Sequence, residues 1–405
     1  MNKLVNRKDN RIQTPAQLYL LPSYFLIFRL IFFASLSYEI IPGYGDYWNF
    51  FRQAGLGFPF LNYWTEFPPV FPIISRIFYS LVGGREHSYG YLLAIFFTLL
   101  QAGCIWLLLN IIRIVWPRED PEHRGWLYFL FTAGLFYSWG YFDTLAVFLM
   151  LLGIYLILLK KDYWAILAIA MGILTKWFPV LFLPAIWKIR KPKNALSISI
   201  GTLVVVAAAW SALFAANAEY TKASIMSQLN KGSWETVWAL IDGNLTTGNF
   251  NSEINRTIAS SASISTGNQS VIPPWLSLLV LGGIGFLVFW KSSLDSALKF
   301  LGFGGFTMVM FFLWSPGYSP QWILYLLPLV ILCFENNRSR LLSIVLVLVN
   351  LLEWPILLSR GWFQFLEEII LLRTAIFILL ALLFAQIALA QNNNDDEIII
   401  SNKEA

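Results

Sequence analysis

The sequence predicts an all-α protein, a polytopic bundle of transmembrane helices. Three observations carry that prediction. Mean hydropathy over the chain is +0.63, with 58% of residues hydrophobic and only 13% charged. Apolar runs of membrane length recur from Leu18 to Gln391. Between them lie short gaps, some dense in Lys and Arg, others rich in Asn, Ser and Thr. A soluble domain cannot cover so many uninterrupted apolar runs. At roughly 20 apolar residues per crossing, the chain holds about eleven or twelve spans. We read residues 1–390 as one integral membrane domain with a long outer loop over 218–272, and residues 391–405 as a disordered cytoplasmic tail, acidic and Asn-rich.

Taken in order, the first run, Leu18 to Ile40, is too long for a signal-peptide core and has no small-residue cleavage site, so it reads as a retained anchor. Lys3, Arg7, Lys8 and Arg11 precede it and place the N-terminus in the cytoplasm by the positive-inside rule. Asp46 then faces outward. Lys160 and Lys161 mark an inner turn, which puts Asp143 outside. Between Glu66 and Asp143 lie three apolar pieces where parity allows an even number of crossings, so one is re-entrant or incomplete. The weakest is Pro68 to Leu81, short and carrying Pro68, Pro69, Pro72 and Arg76. Trp164 to Trp187 reads as two short helices turning near Lys176 at the outer face, a break typical of cavity-forming membrane helices. Lys188, Arg190, Lys191 and Lys193 form the densest inner loop. A span near Ala195–Asn217 leads out to the long polar loop, and Pro273 opens the return. Lys291 and Lys299, then Arg338 and Arg340, mark two further inner loops, and Glu367 and Glu368 an outer one. Both termini are thus expected on the cytoplasmic side, in a bacterial or archaeal plasma membrane.

Several function classes drop out. The net charge of +5 reflects the basic inner flanks, and no basic groove for nucleic acid is present. Cys104 and Cys333 both sit in apolar runs and read as packing residues. His87 and His123 lack the Cys or acidic spacing of a metal site, so neither a metal nor another cofactor is expected. Asn244-Leu245-Thr246 and Asn255-Arg256-Thr257 are glycosylation sequons, a pattern short enough to arise by chance.

The predicted outer face collects the residues that could do chemistry. Asp46 lies in Pro42-Gly43-Tyr44-Gly45-Asp46-Tyr47-Trp48, just beyond the first span, where a carboxylate is costly unless solvated or used. With it come Arg52, Glu66, Asp143, Lys176, Lys231 and Glu235, and the turn Ser315-Pro316-Gly317-Tyr318-Ser319-Pro320-Gln321-Trp322. Carboxylates, a few cations and many aromatic rings suit a sugar phosphate: rings stack on the sugar, carboxylates accept its hydroxyls, a cation neutralises phosphate. A carboxylate beside a reacting hydroxyl can act as general base. Each residue also has a plainer reading. Asp46 fits a helix N-cap for Tyr47 to Ala54, and Asp143 a cap for the run after it. Glu66 fits a solvated loop, and Lys176 a snorkelling interfacial lysine. Most of the Trp and Tyr fit interfacial belts.

Five stretches in order along the chain resemble an integral-membrane glycosyltransferase of the GT-C superfamily, of the family 87 type of mannosyltransferase-like proteins. Gly45-Asp46-Tyr47 resembles the first-loop acidic motif, and Tyr63-Trp64-Thr65-Glu66-Phe67-Pro68-Pro69 the Tyr-x-Pro-Pro entry to the second span. Gly140-Tyr141-Phe142-Asp143-Thr144-Leu145 and Leu174-Thr175-Lys176-Trp177-Phe178-Pro179 resemble the acidic turn and the Lys-x-x-Pro helix break. Ser319-Pro320-Gln321-Trp322, with Pro328 beyond, resembles the late Ser-Pro-Gln-aromatic motif.

The resemblance implies a polyprenyl-phosphate sugar donor, a lipid or glycan acceptor, and inversion at the anomeric carbon without a covalent enzyme intermediate. Asp46 would be the base, with Lys176 and Arg52 near the donor phosphate. Glu66, Asp143, Glu235, Tyr318, Gln321 and Trp322 would line the substrate site. Trp48 stands where a second acid would complete an Asp-x-Asp metal motif, which disfavours that reading. Lys231 to Glu235 matches its counterpart only loosely. The competing reading is a transporter or flippase of lipid-linked sugars, which would place its charges near the bilayer midplane and show repeat symmetry. A non-catalytic scaffold would leave the shared face of the charges unexplained.

Overall fold

The computed structural model describes residues 17–37, 39–43, 45–245 and 254–390. The basic N-terminal residues, Tyr44, Thr246 of the first sequon and the tail from Gln391 lie outside the described residues. The chain is helical, with no strand among the described residues. Among the described residues, seven helices are long and apolar enough to cross a membrane, and five shorter apolar helices accompany them.

Helix α1, Gln17–Ser35, is the first of the long ones. Its Arg29 is buried: Nη2 donates to the Thr132 carbonyl at 2.9 Å and to Ser138 Oγ at 3.0 Å. A short amphipathic helix follows, α2 (Tyr47–Gly55), burying Tyr47, Phe50 and Ala54. The next, α3 (Val70–Leu81), lies against α2, with Arg76 Nη1 donating to the Ala54 carbonyl at 2.8 Å. At about 1.5 Å per residue it is far shorter than a hydrocarbon core. Helix α4, Glu86–Val115, begins beside α3, where Ser75 and Tyr89 hydroxyls meet at 2.5 Å. It ends at the opposite pole, where the Trp116 indole donates to the Leu332 carbonyl. The piece that does not cross is therefore α3.

From there the chain shuttles between two poles. Helices α5 (Pro121–Gly134) and α6 (Tyr137–Gly140) return to the pole of Asp46. At the far end Arg124 binds Glu119 and the carbonyls of Ile331 and Phe334. Helix α7, Asp143–Leu158, goes down and α8, Asp162–Thr175, comes back. Residues 178–189 descend as a 3-10 turn, Phe178–Phe182, continued by α9, Leu183–Ile189. The expected pair of short helices breaking at Lys176 is present. Pro179 has no N–H to offer the Thr175 carbonyl, so α8 cannot continue past Thr175. Arg190 closes the far end of this pair on Asp162 at 3.1 Å.

Helix α10, Pro192–Ala216, leads to the long polar loop, which folds over the site pole as α11, Ala218–Leu229, and α12, Val237–Asp242. Helices α13 (Pro274–Lys291) and α14 (Ala297–Trp314) form the next hairpin. Pro320–Trp322 turns into α15, Ile323–Cys333, whose eleven residues are all buried. Last come α16, Asn336–Leu351, which breaks near Trp354, and α17, Leu366–Leu389. Twelve segments thus run from pole to pole among the described residues, at the upper end of the expected number. Lys160, Lys188, Arg190, Lys191, Arg338 and Arg340 share the pole away from Asp46.

Candidate active site

Asp46 is placed by a close crossing of two backbones. Gly45 has φ +59°, and a Cβ there would stand 2.3 Å from the Gly140 carbonyl oxygen. Only glycine permits that approach. The contact brings the Asp46 amide to the Gly140 carbonyl at 3.4 Å and sets the carboxyl beside the turn that starts α7. Asp46 holds the N-cap position of α2 but its side chain makes no capping bond; among the described residues it accepts from Asn49 Nδ2, at 3.4 Å. Burial pushes its pKa up to about 6; Asn49 opposes the rise, Glu66 and Asp143 add to it, and Lys176 draws it down.

Asp143 opens α7 and is 1% exposed, with Lys176 Nζ 2.5 Å from its Oδ1. The helix N-terminus also favours its charge. Lys176 sits at the C-cap of α8 with its ammonium over Phe142, Phe178 and Trp322, at 5.2, 5.6 and 5.6 Å. It is a paired cation in an aromatic box. Tyr318 and Trp322 belong to the late turn and are buried, with rings 5.5 Å apart, and Gln321 is half-buried between them. Tyr325 stands next to Asp143 on the α15 side.

Glu66 is no solvated loop residue. It forms a two-pronged ion pair with Arg256, one arm at 3.0 Å. Burial raises the Glu66 pKa, but Arg256 and Lys231 outweigh it and hold the group below its ordinary value. The first loop is stitched to the long loop on both sides of this pair. Trp64 is fully buried, its indole donates to the Ile258 carbonyl and Ser261 Oγ, and Arg256 lies over its ring at 4.7 Å. Lys231 is held below its usual pKa by burial and, to a lesser degree, by Arg256 and Lys176, with Glu66 and Asp46 acting against the shift.

The fold therefore gathers Asp46, Glu66, Asp143, Lys176, Glu235, Tyr318 and Trp322 at one pole. Arg52 is not drawn in: it is exposed on the last turn of α2, its guanidinium 4.5 Å over Trp48. Arg256, Glu353 and Arg373 were not singled out as site residues from the sequence. Arg256 carries no signal there beyond its place in a sequon. Glu353 and Arg373 do, as lone charges inside apolar runs. The Asn244 sequon is spent on structure, since its buried side chain bonds Ser233 Oγ and both ends of the Asn268 peptide. Asn255 folds back on Thr257 in an Asx turn.

A site of this kind can accept a proton at Asp46, neutralise an anion at Lys176 and Lys231, and present aromatic faces to a sugar. No curated protein and no solved structure matches this chain. The family model for glycosyltransferase family 87 matches residues 64–316, well over half of the chain. With its all-helical membrane architecture and this pole of acids, cations and rings, the chain belongs to glycosyltransferase family 87.

Proposed function

We propose that the protein transfers a hexose, mannose by the family resemblance, from a polyprenyl-phosphate donor to a hydroxyl of a lipid or glycan acceptor. The reaction inverts the anomeric carbon and takes place at the outer face of the membrane. The observation that carries this reading is the Asp46 carboxyl: partly desolvated, raised to about 6, free of any capping duty and set among the site's cations. At neutral pH such a group is mostly ionised yet more basic than an ordinary aspartate, which suits a general base.

Asp46 takes the proton of the acceptor hydroxyl as its oxygen attacks the anomeric carbon. The bond from that carbon to the phosphate oxygen breaks, and the phosphate leaves with the electron pair on the opposite side. Lys176 and Lys231 face the leaving phosphate; Lys231 takes the place first given to Arg52, whose side chain is exposed. Charge-assisted hydrogen bonds from these ammonium groups strengthen as the phosphate gains charge. The basic residues at the opposite pole support the outward orientation.

The test is purified protein with a panel of polyprenyl-phosphate hexoses, the product linkage assigned by NMR. Transfer with inverted configuration is expected. Transfer with retention, or only from nucleotide sugars, would contradict the reading.

A further inference from the structure

Against the late turn lies a second charged group that the mechanism does not use. Arg373 of α17 and Glu353, at the break after α16, form an ion pair, both with side chains almost fully buried. The Arg373 guanidinium also lies over the Tyr318 ring at 3.9 Å and donates through Nη2 to the backbone carbonyl of Glu235. Thus the hydrogen bonds of Arg373 go to Glu353 and to the backbone of Glu235, and its charge is felt by the Glu235 carboxyl without a hydrogen bond to it.

Three features of Glu235 then call for explanation. Its φ is +51°, a left-handed conformation that costs a residue with a Cβ about 1 kcal/mol or more. Glycine or asparagine would fill the turn at lower cost. Second, its Oε2 is buried with no hydrogen-bond partner, a state that is unfavourable unless something else supplies the bond. Third, the segment is rigid. The Trp234 amide donates to the Pro316 carbonyl and the Tyr318 amide to the Trp234 carbonyl, both at 3.1 Å. The Trp234 ring fills the space where a Gly317 side chain would stand. A strained backbone, clamped on both sides and ending in an unsatisfied carboxyl, marks a side chain kept for a ligand. The pairing of Trp234 with Pro316 and Tyr318 sets Glu235 beside the late turn, whose Trp322 packs near Tyr318 and lies under the Lys176 ammonium at 5.6 Å.

We propose that Glu235 hydrogen-bonds one ring hydroxyl of the transferred sugar, and that Glu353 and Arg373 are positioning residues that aim it. This rests on the transferase reading. It adds a selection rule, since a site built to bond a hydroxyl rejects the sugar that lacks it.

The experiment uses the full-length protein in detergent with polyprenyl-phosphate mannose and its 2-, 3-, 4- and 6-deoxy analogues. Wild type should disfavour one analogue by about 10- to 100-fold in kcat/KM, the cost of leaving a buried carboxyl without its hydrogen-bond partner. Glu235→Ala should bring that one ratio close to unity and leave the other ratios unchanged; Glu235→Gln should keep part of it. Glu353→Gln and Arg373→Lys should weaken the same ratio and no other, which a merely structural role would not do. Equal rate losses across all analogues in Glu235→Ala, or a preference intact in that variant, would overturn the assignment. Wild type that moves no sugar from any of these donors would instead overturn the transferase reading beneath it.

Discussion

At the residue scale, the site is a set of charges that must be paired before they can be used. Lys176 is 16% exposed and already neutralised by Asp143. Removing it alone leaves a buried carboxylate without its cation, a loss of roughly 3–5 kcal/mol. Lys176→Met should therefore lower thermal stability sharply, and Lys176→Met with Asp143→Asn should recover most of it. Donor binding should stay weak in the double variant, because the cation facing the phosphate is gone. Thermal unfolding and donor titration on the two variants separate the roles; full recovery of binding would confine Lys176 to structure. The acids and Lys176 were legible in the sequence because each is a costly charge next to an apolar run. Their partners were harder to find. Arg256 meets Glu66 across 190 residues of chain, and nothing in local pattern encodes such a pair. Glu353 and Arg373 could have been flagged by the same rule that found Lys176.

At the scale of elements, what matters is where helices stop. Asp46 reaches the site because Gly45 passes against Gly140, with α2 and α7 starting on either side. Gly45→Ala meets both the φ of +59° and a backbone oxygen 2.3 Å from the new Cβ. The loop must shift, and Asp46 with it. We expect at least a tenfold fall in kcat, since a displacement on the order of 1 Å can cost far more than that, with the membrane bundle intact by circular dichroism. An unchanged rate would mean that the crossing does not set the base. The break at Lys176 and the shortness of α3 follow from prolines visible in the sequence. The docking of residues 231–236 on the late turn does not, because it depends on backbone pairing between segments 80 residues apart.

For the whole molecule, the membrane bundle follows from hydropathy, whereas the cap over the site does not. Residues 218–272 read as a polar loop, yet the described residues among them form two helices and a clamp around Trp64. Polar composition hides such structure because the cap is held by hydrogen bonds to the first loop and by a small apolar cluster of Trp64 with Ala223 and Ala262, which leaves no long apolar run in the sequence. The proposed orientation can be checked on this cap. Asp143 is too buried to label, but Thr257 is exposed. A Cys at 257, in a background lacking Cys104 and Cys333, should react with an impermeant thiol reagent in intact cells, and a Cys at exposed Lys191 only after permeabilisation. The reverse pattern would place the site on the cytoplasmic side.

The measurement closest to the central claim is the pH profile of kcat/KM for wild type and Asp46→Asn. The folded pKa of Asp46 lies near 6, raised from 3.8. A raised carboxyl pKa means that the folded protein loses stability as pH climbs through this window, and that the ionised base at neutral pH is a net cost to folding. Asp46→Asn should thus melt no lower than wild type at pH 7. Wild-type activity should fall as pH drops below about 6. The variant should lose that acid limb together with about two to four orders of magnitude in rate. A variant of normal stability that turns over at a rate close to wild type, with the acid limb unchanged, would show that Asp46 is not the base.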